Sequence, residues 1–317
     1  MTFKTFLKTA SIAALIATGS EAIAQDYPSE PIRMVVPWKA GGGTDSIARA
    51  LAKAIEAESD GTVIIENISG GGRVPGHLAV VNASPDGYTL LLNGSSDISS
   101  SQVFREMPFT LDDFTCVGGV YSAPLWIVVN SESGYETLED YTAAAAAKPG
   151  ELTLGVTTLN SPDEVLGKAV AEKFGIDVRI IPFNGGANMK KALLAGQVDA
   201  GIFYVPVMLP EVEAGLAGVI MGGGSLENVR YEEVRDAPTP ADLGLEFEIG
   251  SYRGVLMPAG VSNEVLAEVS ALVEAAAKSE IFAAFGETFG SAPKWVSGPE
   301  YCDVIRSEMD TFEASAE

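Results

Sequence analysis

The apolar positions of the chain fall in short runs separated by stretches with helical spacing. Pro31-Ile-Arg-Met-Val-Val-Pro37 is a β-branched run closed by proline, the pattern of a buried strand. After glycines 41–43, Ile47, Leu51 and Ile55 recur every four positions, which predicts one apolar face of a helix. The alternation continues with strands at 62–66 and 88–92 around a helix at 76–82. Farther on it predicts helix 137–147, strand 152–156, helix 162–174, strand 178–182, helix 187–195, strand 198–204, helix 207–214 and strand 217–221. Pro238 to Asp242 reads as a helical turn, followed by helices at 262–277, 279–285 and 298–314. Two longer extended runs, 115–130 and 249–257, interrupt this rhythm.

Strands alternating with amphipathic helices predict an α/β protein built on doubly wound, mostly parallel sheets, which bind ligands beyond the carboxyl ends of their strands. About four strands precede residue 125 and about four follow residue 150, so the two long runs are candidate crossings between two lobes. No low-complexity linker separates the halves. The expected division is residues 25–124 with 252–317 in one lobe and 125–251 in the other.

Charge narrows the partners. Against 20 Lys and Arg stand 43 Asp and Glu, a net charge of −23 over 317 residues. Such a field repels nucleic acid and acidic membrane surfaces. The first 24 residues change the picture again. Lys4 and Lys8 precede an uncharged apolar run from Thr9 to Thr18, then come Gly19 and the small-x-small triplet Ala22-Ile23-Ala24. This is the order of a cleaved secretory signal, and the run is too short for a spanning helix. A periplasmic location is therefore expected, with no membrane insertion of the mature chain.

Catalytic classes find little support. A single histidine, His77, and two cysteines, Cys116 and Cys302, leave no Cys/His zinc cluster, so neither metal nor cofactor is expected. G-x-S-x-G and H-E-x-x-H are absent. An exported hydrolase using two carboxylates stays open, because 43 acids make chance pairs easy. His77 opens a helix, where a cap or surface role is expected. The cysteines form either one bridge or two separate buried thiols, since sequence does not place them together.

The binding candidates are two glycine turns. Val36-Pro-Trp-Lys-Ala-Gly-Gly-Gly-Thr-Asp45 joins a strand to a helix, with Thr44 or Asp45 suited to cap it. Glycines let amides approach a ligand, and a helix N-terminus carries partial positive charge, so this turn suits an anion without any basic side chain. Ser46 stands where the dinucleotide pattern G-x-G-x-x-G needs glycine, and the phosphate-loop lysine is missing. A second turn, Glu66 to Gly76, repeats the device with Gly70, Gly71, Gly72 and Arg73. Arg73 either faces the ligand or sits on a solvated loop.

With these residues in place, the chain resembles the extracytoplasmic receptors of tripartite tricarboxylate transporters, the Bug-type solute-binding proteins. The resemblance rests on Pro31-Ile-Arg, Gly41-Gly-Gly-Thr-Asp45, Glu66-Asn67, Gly70-Gly-Gly72, Pro85-Asp-Gly-Tyr-Thr-Leu90, Lys148-Pro-Gly150, Gly196-Gln-Val-Asp199 and Gly254-Val-Leu-Met-Pro-Ala-Gly260, in that order along nearly the whole chain. It implies a two-lobed type II periplasmic-binding-protein fold that closes over a small carboxylate and delivers it to a membrane permease; a receptor feeding a signalling partner is the alternative, and a monomer is expected. By position it implies ligand contacts from Trp38, Ala40, Gly41, Gly42, Gly43, Thr44 and Asp45, from Gly71, Gly72 and Arg73, and from Ser95. In the second lobe it implies Thr157, Thr158, Asn160, Ser161, Phe183 and Asn184. Lys39, Arg73, Pro75 and the glycine-free Thr157-Thr-Leu-Asn160 depart from the family's commonest pattern, at positions that set pocket polarity.

Overall fold

A computed structural model describes residues 27–183, 185–222, 237–245 and 250–316; the expected signal segment and Asn184 lie outside them. The chain begins with β1 (Ile32–Val36), α1 (Gly43–Ser59), β2 (Val63–Asn67), a 3-10 turn at Gly71–Arg73 and α2 (Val74–Val81). It continues with β3 (Thr89–Gly94), α3 (Ser95–Phe104) and the long β4 (Phe114–Asn130). Next come α4 (Leu138–Ala147), β5 (Thr153–Val156), α5 (Pro162–Phe174), β6 (Arg179–Pro182), α6 (Gly186–Leu194), β7 (Ala200–Tyr204), α7 (Val205–Glu213) and β8 (Ala217–Gly222). The last elements are β9 (Gly250–Pro258), α8 (Asn263–Lys278), α9 (Glu280–Phe289), β10 (Pro293–Ser297) and α10 (Gly298–Ala316).

β2, β1 and β3 pair in parallel, as do β6, β5 and β7. The two long runs are the antiparallel strands β4 and β9, paired from Phe114 opposite Pro258 to Pro124 opposite Gly250, with the register shifting between Cys116 and Gly118 and between Gly119 and Tyr121. β9 also pairs with β3. Past Pro124, β4 leaves the first sheet and pairs with β7 and β8 of the second. One strand thus serves both sheets.

Helices cover both faces of each sheet, so the strands bury residues of both parities. In β1, Ile32, Met34 and Val36 pack under Leu51, Ile55 and α8, while Val35 faces Leu91, Ile98 and Tyr301 on the other side. In β4, Leu125, Ile127 and Val129 enter one second-lobe core and Trp126 and Val128 the other. This explains why these strands read as near-continuous apolar runs in the sequence.

Two elements escape the hydrophobic pattern. Helix α3 reads Ser-Ser-Asp-Ile-Ser-Ser-Ser and shows no apolar stripe, yet residues 95–101 are all buried. It is held by polar contacts to α10: Ser95 and Ser99 donate to the Glu308 carboxylate at 2.6 and 2.8 Å. β10 is a short strand of mixed character that pairs with β4. Near its end α10 also reaches the second-lobe core, where Phe312 meets Phe104 edge-on at 5.8 Å. The cysteines resolve to one bridge, Cys116–Cys302, which ties β4 to α10 across 186 positions of sequence.

Candidate functional site

The first glycine turn is held from behind by Asp45. Its carboxylate accepts from the Gly41 amide at 2.8 Å, from Arg49 Nε at 2.9 Å and from Asn67 Nδ2 at 3.0 Å. Burial opposes its charge, but Arg49 and the Gly41 amide keep the carboxyl below its ordinary value. Neither Thr44 nor Asp45 caps α1, contrary to expectation. The helix starts earlier, at Gly43, and Gly42 occupies the cap position with no side chain to offer. The first-turn amides of α1 are thereby left uncapped behind exposed Gly41, Gly42 and Gly43. Exposed Ala40 precedes them, and Lys39 also lies exposed.

The second turn is unusual in its backbone. Gly71, Gly72 and Arg73 take φ of 52°, 66° and 74°, three left-handed residues in succession. Glycine accepts this freely, whereas a non-glycine residue is strained there, and such strain collects at functional positions. Arg73 is not solvated. Its guanidinium lies 4.8 Å from the Trp38 ring centre, and Nε is 3.7 Å from Asp97 Oδ1. The Trp38 indole in turn donates to Asp97 Oδ2 at 2.9 Å. Burial raises the Asp97 carboxyl, but Arg73, Arg253 and the Trp38 and Gly94 hydrogen bonds outweigh it and hold the group below its ordinary value.

His77 corrects its reading. It is fully buried, neither a cap nor on the surface, with Nδ1 2.9 Å from the Arg73 carbonyl and its ring stacked on Phe109 at 4.8 Å. Burial lowers its pKa, so it braces the strained turn as a neutral ring.

Ser95 opens α3 beside this network, but its hydroxyl is engaged by Glu308. In the second lobe, Thr157 donates through both its amide and its hydroxyl to Asp163, and the Asn160 amide donates to Glu164. Ser161 caps α5, and its hydroxyl donates to the Thr158 carbonyl. Thr158 and Asn160 are exposed at the tip of this loop, with Asn160 at φ 56°. Phe183 is half-buried and lies over Gly155 of β5. α6 again begins at a glycine, Gly185, with no side-chain cap.

The structure therefore brings Trp38, the two glycine turns, Thr44, Arg73 and Asp97 together, and it places Thr157 to Ser161 and Phe183 in the matching loops of the second sheet. It also adds Arg253, which sequence reasoning missed. This residue of β9 donates from Nε to Thr44 Oγ1 at 3.2 Å, and its guanidinium carbon lies 5.7 Å from the ring centre of Tyr204 at the end of β7. The available signal was a cation inside an otherwise apolar crossing strand, Tyr252-Arg253-Gly254, in a strongly acidic chain.

Helix starts gathered past the carboxyl ends of parallel strands, in two sheets joined by the shared strand β4, fit the plan of a periplasmic binding protein. A family sequence model confirms it: the tripartite tricarboxylate transporter family receptor matches residues 47–314. The chain belongs to this receptor family. Protein BugT of Bordetella pertussis is 31% identical over 291 residues, covering 89% of this chain and 86% of that protein. Among solved structures, an R. palustris protein with adipate is 26% identical with a TM-score of 0.76, covering 92% of this chain and 97% of that one. A TctC solute binding protein from Polaromonas, solved with no ligand, has 23% identity and a TM-score of 0.78, covering 91% and 98%. The family is one of periplasmic solute-binding receptors, and among the described residues no helix is long and apolar enough to cross a membrane.

Proposed function

We propose that this receptor captures a small carboxylate between its lobes in the periplasm and hands it unchanged to the permease of a tripartite tricarboxylate transporter. The observation that carries this reading is the uncapped, glycine-lined N-terminus of α1 beside the left-handed Gly71–Arg73 turn. Each offers backbone amides at the carboxyl edge of neighbouring parallel strands. In a chain of net charge −23 an anion gains nothing from the overall field, so local donors must hold it. Charge-assisted hydrogen bonds of about 1.5–3 kcal/mol each are sufficient for that. The adipate bound to the R. palustris relative supports a carboxylate as the ligand class.

In this reading Ala40 to Asp45 and Gly71 to Arg73 form the carboxylate side, with Trp38 as an apolar wall. Thr157, Thr158, Asn160, Ser161, Phe183 and Asn184 meet the far end of the ligand when the lobes close. The lobes comprise 25–124 with 252–317, and 125–251, and β4 and β9 serve as the hinge. The leader of residues 1–24 directs export and is removed, and the mature receptor acts as a monomer.

A thermal-shift screen of the mature chain against mono-, di- and tricarboxylates tests the reading. A ligand at a hundredfold excess over Kd stabilises the native state by about 2.7 kcal/mol. At least one carboxylate should raise the melting temperature and be recovered chemically unchanged. No shift across the panel, or turnover of a bound compound, would overturn it.

A further inference from the structure

Among the described residues, Arg253 has donors that take no protein partner. Its Nε is taken by Thr44 and one Nη1 bond by the Tyr252 carbonyl at 3.3 Å. Among the described residues no carboxylate lies within 4.0 Å of it and no protein group pairs with Nη2. The buried carboxyls of Asp97 and Glu308 feel its charge from farther off, but a half-buried guanidinium with no directly paired carboxylate keeps hydrogen-bond donors that an anion could take. Arg73, by contrast, already faces Asp97 and stacks on Trp38.

Position gives the unspent donors a purpose. Arg253 stands on the crossing strand β9, touches the first turn of α1 through Thr44, and faces the Tyr204 ring where β7 enters α7. It thus touches α1 beside the first sheet and the end of β7 in the second. The close fit at Gly94 shows that room is reserved for it, because a Cβ there would fall 2.8 Å from Nη1.

We infer that Arg253 is the interlobe anchor for the ligand's carboxylate. Nη2 and the second Nη1 hydrogen meet the carboxylate, the uncapped amides of α1 complete its shell, and the Tyr204 ring lies against the carbons behind it. A planar fork suits a carboxylate better than any other small anion that lacks paired oxygens. The ligand class is thus a carboxylate with aliphatic or aromatic carbon next to its head group. This rests on the carboxylate-receptor reading above.

Titration calorimetry on the mature chain tests it with four probes, adipate, succinate, citrate and benzoate, beside adipamide, succinamide and benzamide. The wild type should bind at least one carboxylate and not its amide. Arg253→Gln should weaken that carboxylate by roughly 10- to 100-fold, the worth of one charged hydrogen-bond set. Arg253→Lys should fall between, since it keeps the charge and loses the fork. Gly94→Ala, which displaces the guanidinium without removing charge, should also weaken binding while the circular-dichroism spectrum stays native. Binding by Arg253→Gln within twofold of wild type overturns the anchor and leaves the receptor reading intact. A wild type that binds none of the four carboxylates overturns both together.

Discussion

Glu308 offers a prediction whose size can be worked from its surroundings. The carboxyl lies between α10 and α3, accepts from Ser95 and Ser99, and shares its neighbourhood with Asp97, Arg253 and Tyr301. Burial, aided by the negative charge of Asp97 and opposed by the two serines and Arg253, raises its pKa from 4.5 to about 7. Between those values the unfolded chain has lost the proton that the folded chain keeps. The group therefore lowers stability as pH rises from about 4.5 to about 7, and the loss is complete above that window. At about 1.36 kcal/mol per pH unit the full shift corresponds to at most about 3 kcal/mol. The side chain is partly open to solvent, so about half of that is expected. Glu308→Gln keeps the shape and cannot ionise, with its oxygen accepting from one serine and its NH2 donating to the hydroxyl of the other. Its stability relative to wild type, from urea unfolding at pH 5, 6, 7 and 8, should rise by about 1.5 kcal/mol across the series and level off above pH 7. Parallel curves for the two proteins would refute the argument, because then the folded carboxyl titrates as it does in the unfolded chain.

Two further outcomes follow from the geometry. Gly42 has φ −85°, open to any residue, and a Cβ there would approach only the Lys39 carbonyl, at 3.4 Å. Gly42→Val should therefore fold normally and lose carboxylate binding in the calorimeter, because its methyl groups cover the α1 amides; retained affinity would remove that turn from the site. The Cys116–Cys302 bridge closes a loop of 186 positions, for which the chain-entropy estimate is up to about 5 kcal/mol. Reduction, or replacement of both cysteines by alanine, should lower the urea midpoint markedly, and an unchanged midpoint would show that the bridge constrains little.

How much was legible in the sequence depends on what kind of residue carried the information. Elements with apolar repeats read well: helix 162–174 matches α5 at both ends, and the two long runs are the strands β4 and β9, of which β4 pairs with both sheets. Helix α3 was missed because serines bury themselves by hydrogen bonding to Glu308, and hydropathy does not register that. The same blindness applies to the site. The glycine turns announce themselves by composition, since few other residues tolerate φ of 52° and 66°. Arg253 did not, because what makes it a candidate is its proximity to Thr44, Gly94 and Tyr204, which are distant in sequence. His77 was misjudged for a related reason: its burial depends on Phe109, contributed by a segment 32 positions away.

The pairing of β9 with both β3 and β4 has a consequence for the order in which the chain can be completed. β3 acquires its antiparallel neighbour, and β4 its first-sheet partner, only when residues 250–258 arrive, and the apolar surface under Tyr301 is covered only by α10. The first sheet is therefore discontinuous in sequence: β3 and the Phe114–Pro124 part of β4 lack a neighbour, and a core face lies bare, until residues 250–316 are available. Parallel β1–β3 pairing is slow on its own account, since it closes long loops before it is rewarded. In this layout the C-terminal segment closes the first sheet and its core last along the chain, and α10, through Phe312, also reaches the second-lobe core.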